Sequence, residues 1–420
     1  MWRMVKLTAI LLLVTAVCLL AFSCSKNGAG DVVDDDEEED DIIAPAAIAD
    51  LEVTHYTTST VTLQWTAPGD DSITGVAYAY DLRASYDTIT AENFSEAYQF
   101  DDVAPPLPAG LTQSNTIEGL DAGQKYYFVI KTRDNMGNWS GLSNCVSVTC
   151  LTDFVVNFPD TALERVIREI ISKPSGDIMR SDLQDMVDLV AQEENISDLT
   201  GLEYCISLNW IDLFANNIDD LTPLEDMTWP TVLYLGMNNI TDLSPIAGMT
   251  DLVHLIVGQN PVSDLSPLSG MTKLQLLRVH DIDATDFSPI YGLTSVEELD
   301  LGSNQLSNIA FVTNLSHVKR LGLYGNGISD ITPLAGLTGL EGLWLQYNQI
   351  SDLTPLTGLV NLITLDLFLN QVTDILPLVN NTGLGEGDVV VLYGNQLSEQ
   401  STEEYIPALE ARGVTVHWEE

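Results

Sequence analysis

The segment that decides the fold is residues 343–359, which read LWLQYNQISDLTPLTGL. Two leucines alternate at its start, an asparagine follows, and Asp-Leu-Thr-Pro-Leu precedes a final Gly-Leu. The unit recurs along residues 206–395, and its asparagines are spaced by 22 residues or twice 22 until a final interval of 25. These are Asn216, Asn238, Asn260, Asn304, Asn326, Asn348, Asn370 and Asn395. Because a unit of 22 residues cannot enclose a core alone, we expect the copies to stack around one continuous core.

Each part of this unit predicts a structural role. The alternating leucines predict a short strand with its leucines in the core and the intervening residues facing outward. The asparagine is expected to bridge backbone groups of adjacent coils, which would form a ladder along the stack. Ser or Thr before the proline predicts the N-cap of a short helical turn on the convex side, with proline at the first helical position. Ile282 replaces the asparagine in the fourth coil, where we expect the ladder to be interrupted.

An aspartate recurs just before each predicted convex turn. Its copies include Asp242, Asp264, Asp330, Asp352 and Asp374. A row of carboxylates could be read as a catalytic feature, but its fixed place in the unit predicts that it caps backbone groups instead. The fifth coil departs from this pattern, since Asn308 stands where the other coils have aspartate.

The unit resembles the leucine-rich repeat, and its length and Asp-Leu-Ser/Thr-Pro-Leu ending resemble the bacterial internalin type. This resemblance implies a solenoid with short concave strands, formed by repeats at 206–395. Residues 153–205 resemble the helical N-terminal cap of that family. Within them, Asp160 predicts the N-cap of one helix, and Ser181 to Gln184 predicts a capping box that starts a second helix. Residues 396–420 are expected to close the other end as a C-terminal cap.

Residues 45–152 have a different hydrophobic period. Val61, Leu63 and Trp65 alternate on one face of a predicted strand, and later strands are separated by turn-forming residues. The segment resembles the fibronectin type III domain, because Trp65 matches its core tryptophan and Leu120 with Tyr126 matches its tyrosine corner. The predicted fold class is therefore multidomain: a fibronectin type III-like β-sandwich, expected to act as a spacer, followed by a leucine-rich repeat solenoid.

The cysteines do not predict a disulfide scaffold. Cys145 and Cys150 lie five residues apart on one predicted strand, so their side chains should point to opposite faces. With Cys205 they make an odd number, and we expect all three to be buried free thiols.

The first 44 residues predict a secretion signal followed by a membrane anchor and a linker. Residues 1–23 have the layout of a signal peptide, with Arg3 and Lys6 before an apolar run. The sequence Ala-Phe-Ser-Cys at 21–24 resembles the bacterial lipoprotein box, which implies that Cys24 is acylated; a plain signal peptide is the alternative. Residues 24–44 would then be a lipidated cysteine and an acidic linker, whose run at 31–41 holds nine carboxylates in eleven residues and should stay extended. A calcium site in this run is the sharper alternative, but nothing there fixes six or more oxygens around one ion.

Charge and composition exclude several classes of function. The chain has 16 basic and 61 acidic residues, a net charge of −45, which is opposite in sign to the basic footprint of a nucleic-acid-binding protein. His254 and His280 are predicted to lie roughly 14 Å apart in a regular array, too far to share a metal ion. We find no Ser-His-Asp, paired-glutamate or phosphate-loop pattern, and therefore predict no enzyme, no cofactor and no metal site.

Function should lie on the outward residues of the concave strands, which the repeat does not dictate. In the carboxy-terminal coils these positions are rich in aromatic residues, and we take as candidate ligand-binding residues Tyr324, Trp344, Tyr347, Phe368 and Tyr393. They fall on four successive coils and should span about 15 Å. A rival group of Trp210, Phe214 and Tyr234 lies at the other end. On the same face, Arg278 and Asp300 share a column on adjacent coils and are expected to form an ion pair.

The sequence therefore predicts a lipoprotein of the bacterial cell envelope, held by Cys24 in the outer membrane and exposed on the surface. Its concave face would bind a protein, with a glycan as the other ligand class, in adhesion or recognition. The targets compatible with this prediction are a host receptor, a neighbouring cell, a matrix polymer and a partner lipoprotein. A structural spacer without a specific ligand is the alternative function.

Overall fold

The computed structural model describes residues 42–419. The predicted signal peptide, Cys24 and the acidic run at 31–41 lie outside the described residues. Within residues 42–419, no helix is both long enough and apolar enough to cross a bilayer.

Residues 45–152 form a β-sandwich of two antiparallel sheets, as the sequence predicted. One sheet has the order β1-β2-β5 and the other the order β4-β3-β6-β7. The strands are β1 Glu52–Tyr56, β2 Val61–Thr66, β3 Ala79–Ser85, β4 Tyr98–Phe100, β5 Thr112–Ile117, β6 Lys125–Arg133 and β7 Val146–Thr149, with a 3₁₀ turn at Phe94–Glu96. Trp65 is buried between the sheets and meets Tyr80 edge-to-face, with ring centroids 5.2 Å apart. The Tyr126 hydroxyl accepts the Asp121 N–H at 3.0 Å, which is the tyrosine corner.

The cysteine prediction is wrong at one position. Cys145 and Cys150 do not pair, but Cys145 is exposed and only Cys150 and Cys205 are buried. Burial raises the pKa of the Cys205 thiol to about 12, with Glu203 adding to the shift, so this thiol is inert at neutral pH.

Two short helices begin the repeat segment, α1 Thr161–Ile170 and α2 Arg180–Leu183. Asp160 caps α1 as predicted, since its Oδ1 accepts the N–H groups of Ala162 and Leu163. The predicted capping box at Ser181 is wrong. The second helix begins at Arg180, and Asp182 supplies the cap by accepting the Met179 N–H at 2.7 Å.

Ser181 and Gln184, the ends of the predicted capping box, instead make hydrogen bonds where the two domains are connected. Ser181 donates to the carboxylate of Asp153 through both its N–H and its hydroxyl, at 3.0 and 2.9 Å. Across the domain boundary, Gln184 Oε1 accepts the hydroxyl of Thr58 at 2.8 Å. The Leu151 N–H donates to the Thr57 carbonyl oxygen, so the connecting segment is bonded to both domains.

The repeat segment forms one parallel sheet of eleven strands, paired in sequence order from β8 to β18. The sheet starts within the segment predicted as the N-terminal cap and ends within the predicted C-terminal cap. Its strands are β8 Asp188–Val190, β9 Trp210–Asp212, β10 Val232–Tyr234, β11 His254–Ile256, β12 Leu276–Arg278, β13 Glu298–Asp300, β14 Arg320–Gly322, β15 Gly342–Trp344, β16 Thr364–Asp366, β17 Val389–Val391 and β18 Thr415–His417.

The asparagine ladder is present. Asn348 is typical: its Nδ2 donates to the carbonyl oxygens of Leu323 and Leu345, and its Oδ1 accepts the Ile328 N–H. The ladder is interrupted at the fourth coil, where Ile282 is buried and has no side-chain amide to donate. One amide therefore ties three backbone groups on two coils, and this explains the fixed interval between asparagines.

On the convex side, each coil carries a short helical turn, and these turns do not begin where the sequence predicted. The Ser or Thr before proline is the first residue of the turn and not its cap; in the second coil, for example, Asp242 accepts both the N–H and the hydroxyl of Ser244, at 2.8 and 2.7 Å. In the fifth coil, Asn308 Oδ1 accepts the N–H of Ala310 at 2.9 Å. The turns are Leu202–Tyr204, Thr222–Leu224, Ser244–Ile246, Ser266–Gly270, Ser288–Gly292, Ala310–Asn314, Thr332–Gly336, Thr354–Leu356 and the helix α3 Leu376–Asn380.

A single hydrophobic core runs from Val156 to Val414 through all coils, and the sandwich has separate cores of its own. At the carboxy-terminal end, a π-helical turn at Ser401–Tyr405 leads into α4 Ile406–Glu410. Ile406, Leu409 and Val414 are buried and cover the end of the core.

Candidate ligand-binding face

The concave face is made of three columns of outward residues. The strand register aligns two of them, and the third lies two residues beyond the second. The first column runs through Asp188, Trp210, Val232, His254, Leu276, Glu298, Arg320, Gly342, Thr364, Val389 and Thr415. The second runs through Val190, Asp212, Tyr234, Ile256, Arg278, Asp300, Gly322, Trp344, Asp366, Val391 and His417. The third includes Phe214, Gly236, Gly258, His280, Gly302, Tyr324, Gln346, Phe368 and Tyr393.

Rings on this face lie down on the sheet because glycines leave room for them. A Cβ atom at Gly342 would come within 2.6 Å of Trp344 Cη2, so the indole covers that glycine. The ring of Tyr324 covers Gly302 in the same way, and its hydroxyl donates to Asp300 Oδ2 at 3.2 Å. Burial and the nearby carboxylate raise the pKa of Tyr324, so this phenol stays protonated. The two rings therefore occupy space on the sheet surface that a side chain at Gly342 or Gly302 would fill.

Tyr347 occupies an unusual backbone position. The residue before each ladder asparagine has a positive φ, which glycine adopts without steric cost, and Gly325 and Gly394 fill the position in two coils. The other coils place a residue with a side chain there, including the exposed Met237 (φ 57°) on the second coil. Two successive coils place Tyr347 (φ 60°) and Leu369 (φ 51°) there. These side chains are 54% and 41% exposed, although both are large and apolar. The repeat imposes the positive φ, and bulky residues are rare in that conformation. What distinguishes residues 347 and 369 is that they place two large exposed apolar side chains on adjacent coils.

The structure brings some of the candidate residues together and separates others. Tyr347 and Phe368 meet edge-to-face with centroids 5.1 Å apart. Tyr393 stacks on His417 at 6.1 Å, and Tyr324 turns toward Asp300 at the other side. We define the carboxy-terminal patch as the following five residues: Trp344, Tyr347, Phe368, Leu369 and Tyr393.

Tyr324 lies at the margin of this patch. Leu369 is the member that sequence reasoning missed. Aligning the repeats could have found it, because the position before the asparagine holds a large apolar residue in two successive coils, at 347 and 369.

An ion-pair network crosses the centre of the concave face. The predicted pair of Arg278 with Asp300 is wrong, although the two residues are register neighbours. Arg278 reaches diagonally to Glu298, which also lies 3.5 Å from Arg320. The Asp300 carboxylate is engaged instead by Tyr324 and lies 3.5 Å from His280 Nδ1. The network separates the carboxy-terminal patch from a second group of rings.

That second group, the amino-terminal patch, contains Trp210, Phe214 and Tyr234. The rings of Trp210 and Tyr234 meet edge-to-face at 5.6 Å, and the Tyr234 hydroxyl lies 3.4 Å from His254 Nδ1. Among residues 42–419, no group of three or more His, Cys, Asp or Glu side chains is arranged to hold a metal ion.

Comparisons with known proteins agree with the two-domain architecture. Residues 45–149 match the fibronectin type III family, and residues 316–358 and 338–380 match the leucine-rich repeat family. The sandwich region is 37% identical over 106 residues to chitinase A1 of Niallia circulans. That match covers 25% of this chain and 12% of the enzyme, so it concerns one domain.

Solved structures similar to the chain include two internalins of Listeria monocytogenes. Internalin C2 is 34% identical, with 51% of this chain and 94% of that chain covered and a TM-score of 0.48. The internalin InlF is 29% identical, with 63% and 91% covered and a TM-score of 0.47. The chain therefore contains a fibronectin type III domain at residues 45–149 and leucine-rich repeats that include residues 316–380, and the solved structures similar to it include internalins.

Proposed function

We propose that this chain is a lipid-anchored surface protein of the bacterial envelope whose concave face recognises a protein ligand. The observation that carries the proposal is the pair Tyr347 and Leu369. Both are exposed apolar side chains at positive φ, where glycine would relieve strain and lower the exposed apolar area. A spacer gains nothing from them, whereas a binding surface gains apolar anchors with few rotors to freeze.

The rest of the carboxy-terminal patch supports the same function. Phe368 meets Tyr347 edge-to-face, and Trp344 lies on the same coil as Tyr347. Large rings dominate the energetics of protein interfaces. Neither domain belongs to a class defined by catalysis, so the proposal is recognition without chemistry. A glycan ligand is the second candidate, favoured by the half-buried indole of Trp344 on the concave face beside Gly342, because sugars bind by stacking on aromatic rings.

The ligand can be sought by presenting residues 153–420 to protein and glycan arrays. Trp344→Ala should weaken binding of the captured ligand by about 2 kcal/mol or more while leaving the melting temperature nearly unchanged. Trp210→Ala is the matched control at the other end of the face. Unchanged binding by Trp344→Ala together with loss on Trp210→Ala would move the site to the amino-terminal patch. Loss on neither would place the binding site outside both patches, whereas capture of no ligand from either array would favour a structural spacer.

The membrane anchor rests on the Ala-Phe-Ser-Cys sequence that ends the apolar run. Two or three acyl chains, at about 0.8 kcal/mol per buried methylene, would hold the protein firmly to a bilayer. Cys24→Ser should release the protein into the soluble fraction. A wild-type protein that is already soluble, and insensitive to the lipoprotein-peptidase inhibitor globomycin, would contradict the anchor without touching the recognition function.

A further inference from the structure

Three carboxylates lie in the second column of the concave face, and one of them lacks the partner that the other two have. Asp212, Asp300 and Asp366 each accept the backbone N–H of the residue two positions later, at 3.2, 3.0 and 2.9 Å. Asp212 also accepts the side-chain amide of Gln192, and Asp300 accepts the hydroxyl of Tyr324. The described residues supply no side-chain donor to Asp366 and no Arg, Lys or His in ion-pair contact with it.

The surroundings of Asp366 make a missing partner costly. Asp366 is half-buried and lies in register with Trp344 on one side and Val391 on the other. Phe368 follows two residues later on the same face. Burial raises the pKa of Asp366, and the hydrogen bond from the Phe368 N–H opposes that shift. A carboxylate partly removed from water gains most from a cation that enters the same apolar surroundings.

A second acceptor, on the coil next to this carboxylate, is also unsatisfied. Gln346 stands two residues after Trp344 and precedes Phe368 in the third column. Its Oε1 is buried without a hydrogen-bond partner. The locality therefore combines two acceptors in need of donors with the ring systems of Trp344 and Phe368, whose faces attract cations.

We infer that Asp366, Trp344 and Phe368 form a subsite for the guanidinium group of an arginine side chain on the protein ligand. A guanidinium is planar, carries five donors, binds a carboxylate through two parallel hydrogen bonds and stacks on aromatic faces. An ammonium has the charge without the flat surface, and a neutral planar group such as an amide has the flat surface without the charge. The inference rests on the proposed function, since it identifies the chemical group that the carboxy-terminal patch binds on its protein ligand.

Charge complementarity favours binding of a cationic group, and it does so more strongly at Asp366 than at carboxylates already paired within the chain. The chain carries −45 overall and will attract any basic molecule from a distance. At the centre of the concave face, however, Glu298 already lies between Arg278 and Arg320, so that carboxylate is compensated within the chain. Among the three carboxylates of the second column, Asp366 is the one without a side-chain donor, and it lies in register with Trp344.

The test uses the full chain carrying Cys24→Ser and three short probes: acetyl-Gly-Arg-Gly-amide, the same peptide with lysine, and the same peptide with citrulline. Binding is followed through the indole N–H resonances, with that of Trp344 assigned from Trp344→Phe. The arginine probe should shift the Trp344 resonance and bind several-fold more tightly than the lysine probe. The citrulline probe, which keeps the shape of arginine without its charge, should not bind measurably.

Asp366→Asn is the decisive variant, because the amide oxygen can still accept the Phe368 N–H and the fold should be preserved. It should weaken the arginine probe at least tenfold. Glu225→Gln is the matched control, since it removes one negative charge from an exposed position on the convex side and should change binding less than twofold. A melting curve for each variant establishes that both are folded.

Equal losses in Asp366→Asn and Glu225→Gln would overturn the subsite and leave only general attraction to a negatively charged surface. A shift centred on Trp210 would overturn it as well. If the ligand found on the arrays binds Asp366→Asn normally but not Trp344→Ala, the recognition function stands and the arginine subsite is wrong. If that ligand is indifferent to both variants, the proposed face itself is wrong.

Discussion

The Nδ2 of Asn348 donates a hydrogen bond of 2.9 Å to the carbonyl oxygen of Leu323, which lies on the preceding coil. The same amide group also serves Leu345 and Ile328. Asn348→Ala should therefore leave buried backbone groups unpaired and lower the free energy of unfolding by about 3 kcal/mol, at roughly 1 kcal/mol for each lost bond. Chemical denaturation measures this. Gln349→Ala, at the exposed neighbouring position, should change stability by less than about 0.5 kcal/mol. Equal effects of the two variants would contradict the conclusion that the side-chain hydrogen bonds of Asn348 stabilise the fold.

Asp160 joins helix α1 to the first coil with both of its oxygens. Oδ1 accepts the N–H groups of Ala162 and Leu163, and Oδ2 accepts those of Ser197 and Asp198. Burial acts to raise the pKa of Asp160, but these four hydrogen bonds outweigh it and hold the pKa below its ordinary value.

A carboxyl whose pKa is lower in the folded than in the unfolded chain stabilises the fold above its unfolded pKa, and this stability is lost as pH falls through the folded pKa. Asp160→Asn keeps one acceptor oxygen and loses the other, so it should cost about 1 kcal/mol at pH 7. The difference between variant and wild type should shrink below about pH 4, as the wild-type carboxyl is protonated. Denaturation at pH 7 and pH 3 measures it, and a cost that is independent of pH would refute the role of the second oxygen.

Tyr347 has a strained positive-φ backbone and makes one ring contact, with Phe368. Tyr347→Gly should relieve about 1 kcal/mol of positive-φ strain and lose a ring contact with Phe368 of similar size, so stability should change by less than about 1 kcal/mol. Gly325→Val places a β-branched residue at the equivalent position one coil earlier and should lower stability by about 2 kcal/mol. Thermal melts of both variants give the comparison. A large loss in Tyr347→Gly would show that the tyrosine is there for the fold and not for a ligand.

The two domains have separate cores, and their described contact includes two hydrogen bonds to Gln184, from the N–H and hydroxyl of Thr58. We predict that residues 153–420 fold without residues 45–152, with a loss of about 1–2 kcal/mol at most. Calorimetry of the separate segments should give a cooperative transition for each, and Gln184→Ala in the joined chain should reproduce most of the loss. Failure of the repeat segment to fold alone would place the domain boundary elsewhere.

The architecture could be predicted because its signals repeat or lie close together in the chain. The interval between ladder asparagines, the alternating leucines and the pair of Trp65 with Tyr126 are local patterns whose structural demands do not depend on distant residues. The same holds for Asp160 as a helix cap. The boundaries of α2 were harder, because Ser181 and Asp182 both suit a cap and the contact of Ser181 with Asp153 decided between them.

The sequence by itself determined that this protein is a β-sandwich followed by a solenoid, and which residues face outward on the concave side. Only the tertiary structure decided how those residues combine. Arg278 forms an ion pair with Glu298 because its long side chain reaches diagonally, while the Tyr324 hydroxyl on the next coil donates to Asp300. Asp366 was left without a side-chain partner because no donor on the coils around it reaches its carboxylate. A periodic pattern sets the position of each side chain, whereas its partner depends on the lengths, rotamers and competing bonds of residues one coil away.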